Sequence, residues 1–286
     1  MSRDAASAFQ GGFRLAADMP ATVDTHVHVF ERSLPLAARR RYQPDYDATA
    51  ADLLGVMRPA GIARAILVQP SFLGTDNSYV IEQVLRSRGA FAGVAVIDPG
   101  MGAEDLATLR RAGIVGIRLN CIGGPAPDFS RGVHREMAER LAAAGLVIEI
   151  QAEGAQWRSI APCLPQLPGP VLVDHFGRTP AGDASGGFEA LLAAAAETEN
   201  LWFKFSGPYR FADGAAAGCA SALLAAVGPG RVVWGSDWPW TQFEGCYRYT
   251  DTLDWLARWV PDAGARRAIL TTNPARLFGL TAFAEQ

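Results

Sequence analysis

From residue 21 onward the chain alternates short apolar runs with longer segments in which apolar positions recur every three or four residues. The runs lie at 22–27, 64–69, 91–97, 114–119, 146–151, 170–175, 201–206 and 231–236, each rich in Val, Ile, Leu or Phe. Continuous apolar runs of this length predict strands buried on both faces, as in a parallel sheet. Between them, DLLGVMRPAG, EDLATLRRAG, REMAERLAAAG and FEALLAAAAET have helical length and composition. Several end in Gly, the usual helix stop. NPARLFGL predicts a last short helix, with Asn273 as its N-cap and Pro274 in its first turn.

Eight strand–helix units predict an α/β protein with a single (β/α)8 TIM-barrel domain over residues 21–286. A doubly wound open sheet is the competing arrangement. It usually carries a phosphate-binding loop, and the chain has neither G-x-G-x-x-G after a strand nor G-x-x-x-x-G-K-[ST]. The G-x-S-x-G nucleophile elbow is also missing. Residues 1–20, MSRDAASAFQGGFRLAADMP, contain no long apolar run and read as a partly ordered leader, neither signal peptide nor membrane anchor.

Composition narrows the function classes. The 286 residues are 49% hydrophobic and 19% charged, with net charge −3 and no basic block. This predicts a well-packed soluble domain with no nucleic-acid partner and no membrane surface. Cys121, Cys163, Cys219 and Cys246 are far apart and form no C-x-x-C, so they read as reduced, mostly core thiols of a cytoplasmic protein. Such a chain is expected to be a monomer or a small homo-oligomer.

In a barrel of this kind the reactive groups lie at the carboxyl ends of the strands. The first run, in VDTHVHVF, places Asp24, His26 and His28 at alternate positions, which a regular strand would set on one face. Two of the four histidines of the chain therefore stand together. Paired imidazoles can ligate a metal, shuttle protons or polarise a carbonyl. The other runs close on Gln69, Arg118 and Asn120, Glu149 and Gln151, Asp174 and His175, Lys204 and Ser206, then Ser236 and Asp237. Apolar strands that all turn polar at the same end describe a site. Asp174 points opposite His175 on a regular strand and reads as structural. Lys204 shares a face with Ser206, either as a site cation or as a layer residue balanced by Glu149 or Asp237. His134 sits among charges on a helix and reads as solvated.

The order H-x-H on strand 1, His after strand 6 and Asp after strand 8, in VDTHVHVF, LVDHFGR and WGSDWPW, resembles the amidohydrolase superfamily over nearly the whole chain. QPSFLGTDNSY, DHFGR and KFSGPYR further resemble its 2-pyrone-4,6-dicarboxylate lactonase group. Metal-dependent members often carry a carboxylated Lys or Glu on strand 4 and a His on strand 5. Here Arg118 holds the first position and Glu149 and Gln151 flank the second, so a binuclear centre is not expected. The resemblance implies lactone hydrolysis with no metal required. A single Zn²⁺ on His26, His28, His175 and Asp237 stays open on spacing alone. The group's arginines match Arg118, Arg178 and Arg210, and its R-Y-x-P element matches Arg41-Tyr42-Gln43-Pro44. The group commonly has W-P-H after the strand-8 Asp; this chain has Trp238-Pro239-Trp240, which bears on substrate preference.

Guanidinium forks suit carboxylates, so Arg118, Arg178 and Arg210 predict a small anionic substrate with two carboxylates unless they pair internally. Tyr42, on a lid loop, Ser71, Thr75 and Asn77, after strand 2, and Gln151 are further substrate-binding candidates, with packing, capping or core hydrogen bonding as their alternative roles. The expected reaction is opening of a pyrone- or muconolactone-like ring. Asp237 is the general base, and His26, His28 and His175 are donors to the carbonyl oxygen. A mononuclear zinc lactonase of a sugar or sulfonated lactone, a metal-dependent aromatic-acid decarboxylase and a non-catalytic carboxylate-binding barrel are the competing functions.

Overall fold

The computed structural model describes residues 21–211 and 214–280, so the predicted leader lies outside the described residues. Eight strands, β1 (Val23–Val27), β2 (Arg64–Val68), β3 (Phe91–Ala95), β4 (Ile114–Asn120), β5 (Val147–Gln151), β6 (Val171–Val173), β7 (Leu201–Phe205) and β8 (Val232–Trp234), form one sheet in sequence order. Every neighbouring pair is parallel. Each strand lies inside its apolar run, except that β4 extends one residue further, to Asn120.

The helices are α1 (Ala50–Met57), α2 (Ser78–Arg86), α3 (Ala103–Arg111), α4 (Gly132–Ala143), α5 (Gln156–Ile160), α6 (Gly187–Glu197), α7 (Ala215–Val227), α8 (Tyr249–Trp259), α9 (Ala263–Leu270) and α10 (Thr272–Phe278). They pack on the outer faces of the strands, where Val27, Leu67, Ile117, Ile148, Val173, Phe203 and Trp234 share one large core with Leu53, Leu106, Leu141, Leu191 and Leu223. This (β/α)8 barrel is the predicted fold. Asn273 is not the cap of α10: Thr271 is the N-cap residue, and the Asn273 side chain donates instead to the carbonyls of Pro229 and Val232, tying α10 to the start of β8.

Inside the barrel, strand parity explains a change of character along the axis. Near the amino ends, Ile66, Val147, Leu172, Trp202 and Val233 form an apolar layer that Leu277 and Phe278 of α10 close off. Two residues further along three of these strands, on the same face, stand Glu149, Asp174 and Lys204, all fully buried. Gln151 and Ser206 follow, at the mouth.

The barrel closes between β1 and the extension of β8. The amide of Asp237 donates to the His26 carbonyl at 2.9 Å, and the amide of His28 donates to the Trp238 carbonyl at 2.8 Å. Gly235 makes this closure sterically accessible, since a Cβ there would lie 2.5 Å from the His26 Cβ and 2.9 Å from its backbone nitrogen. The β1–β2 register shifts between Asp24 and Val27, which breaks strict alternation. Asp24 therefore leaves the histidines. It accepts hydrogen bonds from the amides of His26 and Ser236 and from the Tyr249 hydroxyl of α8.

Gly235→Ala is expected to lower the unfolding free energy by about 3 kcal/mol, because overpacking meets backbone at the seam. Gly218→Ala, in α7 where an added Cβ meets nothing within 4 Å, should raise it by about 0.5–1 kcal/mol. Denaturant unfolding of both variants checks the contrast; equal effects would remove the steric role assigned to Gly235.

Candidate active site

The carboxyl ends of the strands surround a cleft that opens to solvent. Its lining includes His28, Tyr42, Ser71, Arg118, Gln151, His175, Arg178 and Arg210, which sequence reasoning had named. His26 and Asp237 lie beneath, both fully buried. Thr75 is exposed and does not reach the cleft. Asn77 is a core residue that exchanges hydrogen bonds with the Val96 backbone at 2.8 and 2.9 Å. Arg41, Asn120, Thr241 and Gln242 also line the cleft. Arg41 was legible in the R-Y-x-P element and Asn120 as a polar close of the fourth apolar run, whereas Thr241 and Gln242 lie past the strand-8 motif and carry no signal of their own.

Asp237 is held by one of its two oxygens. Oδ2 accepts from the Tyr209 hydroxyl at 2.6 Å and from Arg210 Nε at 2.7 Å. Oδ1 has no hydrogen-bond partner and faces His26 Nε2 at 3.7 Å and His28 Nε2 at 3.8 Å. Burial acts to raise the Asp237 pKa, but the charge and hydrogen bond of Arg210, together with the neighbouring imidazoles, hold the carboxyl well below the usual carboxylate range. Gly207 permits this arrangement: its φ is +57°, and a Cβ would lie 2.9 Å from Asp237 Oδ2 and 3.0 Å from His175 Nδ1.

The hydrogen bonds on the far side of each ring fix what it presents to the site. His28 Nδ1 lies 2.8 Å from the Val68 carbonyl, which only accepts, so Nδ1 carries the proton. Burial, then the nearby Arg118 charge, pushes the His28 pKa down to about 4, so the ring is neutral near pH 7. Its Nε2 then offers a lone pair. This corrects the expected role of His28 as a donor to the substrate carbonyl. His26 is the opposite case: Lys204 Nζ lies 2.8 Å from its Nδ1, and an ammonium only donates. His26 Nδ1 therefore accepts, and Nε2 carries the proton. His175 Nδ1 lies 2.8 Å from the Ser206 hydroxyl, and burial pushes this imidazole down to about 3.

Below the histidines, Lys204 Nζ contacts Glu149 Oε2 at 2.7 Å and Asp174 Oδ1 at 2.9 Å. Lys204 is thus a layer residue balanced by Glu149, as one of the two expected readings had it, and also by Asp174. Asp174 does not point away from His175. β6 ends at Val173 and His175 opens a turn with φ +49°, so strand alternation no longer applies there. Burial and the neighbouring Asp174 push Glu149 up, while at Asp174 Lys204 together with His26 and His175 overcomes burial and holds the carboxyl low.

The arginines divide. Arg210 is paired with Asp237, and Arg178 Nη2 lies 3.1 Å from Glu153 Oε2. Arg118 donates to the Gln69 carbonyl at 2.6 Å, its buried Nε has no partner, and it forms no ion pair among the described residues. Over the cleft, the Tyr42 and Tyr46 hydroxyls both donate to Glu244, joining the loop after β1 to the loop after β8. Among the described residues, six of the seven non-glycine residues with positive φ lie in the loops after β6 and β8 (His175, Phe176, Arg178, Asp237, Trp240 and Gln242), so backbone strain is concentrated around the site. Trp240 is buried and its indole donates to the Ser236 carbonyl, so it does not line the cleft.

His26, His28 and Asp237 each offer one atom within 4.8 Å of the others, as does the set His26, Asp174 and His175, so donor positions alone suit a single metal ion. The hydrogen bonding does not. Ligation through His26 Nε2 needs a lone pair there, and the Lys204 contact leaves a proton on that nitrogen.

The amidohydrolase family model matches residues 23–280. The chain is 31% identical to a 4-sulfomuconolactone hydrolase of Rhizobium radiobacter over 90% of this chain and 89% of that one. It is 30% identical to a 2-pyrone-4,6-dicarboxylate hydrolase of Comamonas testosteroni, again over 90% and 89%. The crystal structure of a probable 2-pyrone-4,6-dicarboxylic acid hydrolase from Acinetobacter baumannii, with citric acid bound, superposes with a TM-score of 0.85 at 29% identity, covering 91% of this chain and 99% of that one. Among the described residues no helix is long and apolar enough to cross a membrane.

The imidazole resonances of His28 are expected to stay unchanged between pH 8 and 5 and to titrate with a midpoint near 4. A midpoint above 6 in a histidine-labelled spectrum would show a solvated ring and remove the acceptor role.

Proposed function

We propose that this chain, which belongs to the amidohydrolase family, hydrolyses the ester bond of a small lactone bearing carboxylates, such as 2-pyrone-4,6-dicarboxylate. One observation carries the reading: a carboxylate fixed through Oδ2 presents its free Oδ1 to one imidazole N–H and one imidazole lone pair, under a cleft lined by cations. A water oxygen between these three atoms accepts from His26 Nε2–H and donates one hydrogen to Asp237 Oδ1 and the other to His28 Nε2. All of its hydrogen-bonding capacity is then directed, and one lone pair remains for attack.

Attack on the lactone carbonyl passes the water proton to Asp237 and places negative charge on the carbonyl oxygen. His175 lines the cleft, and with the Ser206 hydroxyl donating to its Nδ1 it presents Nε2–H to that oxygen. Collapse of the tetrahedral intermediate breaks the ring C–O bond. Asp237 returns its proton to the departing oxygen, giving a free acid and an enol. Arg118, which forms no ion pair among the described residues, takes one substrate carboxylate, with Arg41 and Arg178 placed around the mouth for the other. Tyr42, Ser71 and Gln151 complete the walls.

Chelator-treated protein is expected to consume 2-pyrone-4,6-dicarboxylate, followed as loss of pyrone absorbance. Asp237→Asn should keep the fold and reduce kcat by about 10²–10⁴, the range for removal of a general base. Retained turnover in the variant, or activity that chelation abolishes and Zn²⁺ restores, would overturn the assignment.

Arg118→Met should raise KM for a dicarboxylate lactone by about tenfold or more and leave KM for an uncharged lactone nearly unchanged, since a charge-assisted bond is worth about 1.5–3 kcal/mol. Equal effects on the two substrates would show that Arg118 does not read charge.

A further inference from the structure

We propose that Lys204 is a positioning residue that locks His26 in its Nε2–H tautomer and thereby keeps a divalent metal out of the site. The Lys204 ammonium is fully buried; it lies 2.8 Å from His26 Nδ1 and pairs ionically with Glu149 Oε2 at 2.7 Å and Asp174 Oδ1 at 2.9 Å. An ammonium has no lone pair, so it cannot accept a proton-bearing Nδ1. The alternative tautomer has only long contacts for its N–H. Glu149 Oε1 and Asp174 Oδ1 both lie 3.5 Å from His26 Nδ1, beyond the ordinary N–H···O range. The one proton of the neutral ring is therefore held on Nε2, the atom that faces Asp237 Oδ1 at 3.7 Å.

A metal approaching between His26, His28 and Asp237 would meet that proton in place of a ligand. Moving the proton to Nδ1 would set an N–H against an ammonium. The two carboxylates that hold Lys204 come from β5 and from the end of β6, so the device is built from three adjacent strands of the barrel. A hydrolase with His26 in this tautomer has a permanent donor for its water.

Two measurements test this, and neither reads lactone turnover, so their failure would leave the proposed hydrolysis standing. The imidazole ¹⁵N spectrum of the wild-type protein should show a protonated Nε2 and an unprotonated Nδ1 at His26; the reverse pattern overturns the proposal. In the second, wild-type and Lys204→Met proteins are incubated with Zn²⁺, desalted and assayed for metal, with affinities from calorimetry. The wild type should retain no zinc, and the variant should retain one ion per chain and bind it at least about 100-fold more tightly. Wild-type protein that retains stoichiometric zinc, or a folded variant that binds no better, overturns it. Because Lys204→Met leaves two carboxylates without their cation, Lys204→Met/Glu149→Gln is carried alongside to keep the fold, with the same expected gain. The spectrum decides on the wild type alone if both variants fail to fold.

Discussion

The site depends on the seam that closes the barrel. Two backbone hydrogen bonds, from the amide of Asp237 to the His26 carbonyl and from the amide of His28 to the Trp238 carbonyl, set the carboxylate beside the two imidazoles. Asp24 holds this seam from the outer side, since one of its oxygens takes the amides of both His26 and Ser236 and the other takes the Tyr249 hydroxyl. Burial of Asp24 raises its pKa to about 6 despite these bonds. The seam is thus a place where two distant parts of the sequence are fixed by main chain, and the geometry of the reacting groups is inherited from it.

Along the barrel axis the interior passes from Val, Ile, Leu and Trp to a buried ionic layer and then to the cleft. A buried ion pair is a poor source of net stability, because desolvation offsets most of the attraction. Its effect here is orientation. Lys204 faces Glu149, Asp174 and His26 at once, so the ring above them takes its hydrogen-bonding pattern from this layer under the proposed tautomer. The same logic runs through the mouth, where the Val68 carbonyl sets His28 and Tyr209 with Arg210 sets Asp237.

The strands were legible because burial on both faces leaves an unbroken apolar run, and the polar residues that close those runs marked Arg118, Glu149, Lys204 and Ser206. Where regular strand geometry ends, that reasoning ends. Asp174 lies beyond the last residue of β6, and a register shift separates Asp24 from His26. Thr75 and Asn77 sit in a loop whose path depends on contacts with β3 and its extension, not on local pattern. The partners of the arginines were also hidden. Each cation was visible as a charge near a strand end, but which carboxylate reaches it depends on loop conformations, such as the left-handed turn at Gly207 that leads to Tyr209 and Arg210. Tautomers belong to the same class, since they follow from atoms contributed by other strands.

Pairing Asp237 with Arg210 has a chemical consequence. The ion pair lowers the basicity of the carboxylate, which makes it a weaker acceptor for the water proton than an isolated carboxylate would be. The protonated form is correspondingly a stronger acid toward the departing oxygen. A weak base with a strong conjugate acid suits an ester whose carbonyl is already electrophilic and whose leaving oxygen is a stabilised enolate. It suits a simple alkyl lactone of a sugar poorly, because there the nucleophile needs more activation. Ring carboxylates on the substrate strengthen this match, since they are conjugated with the breaking bond and also give Arg118 a group to hold. In the proposed reaction, Arg210 would thus favour an activated, anionic lactone through chemistry and Arg118 would favour it through binding.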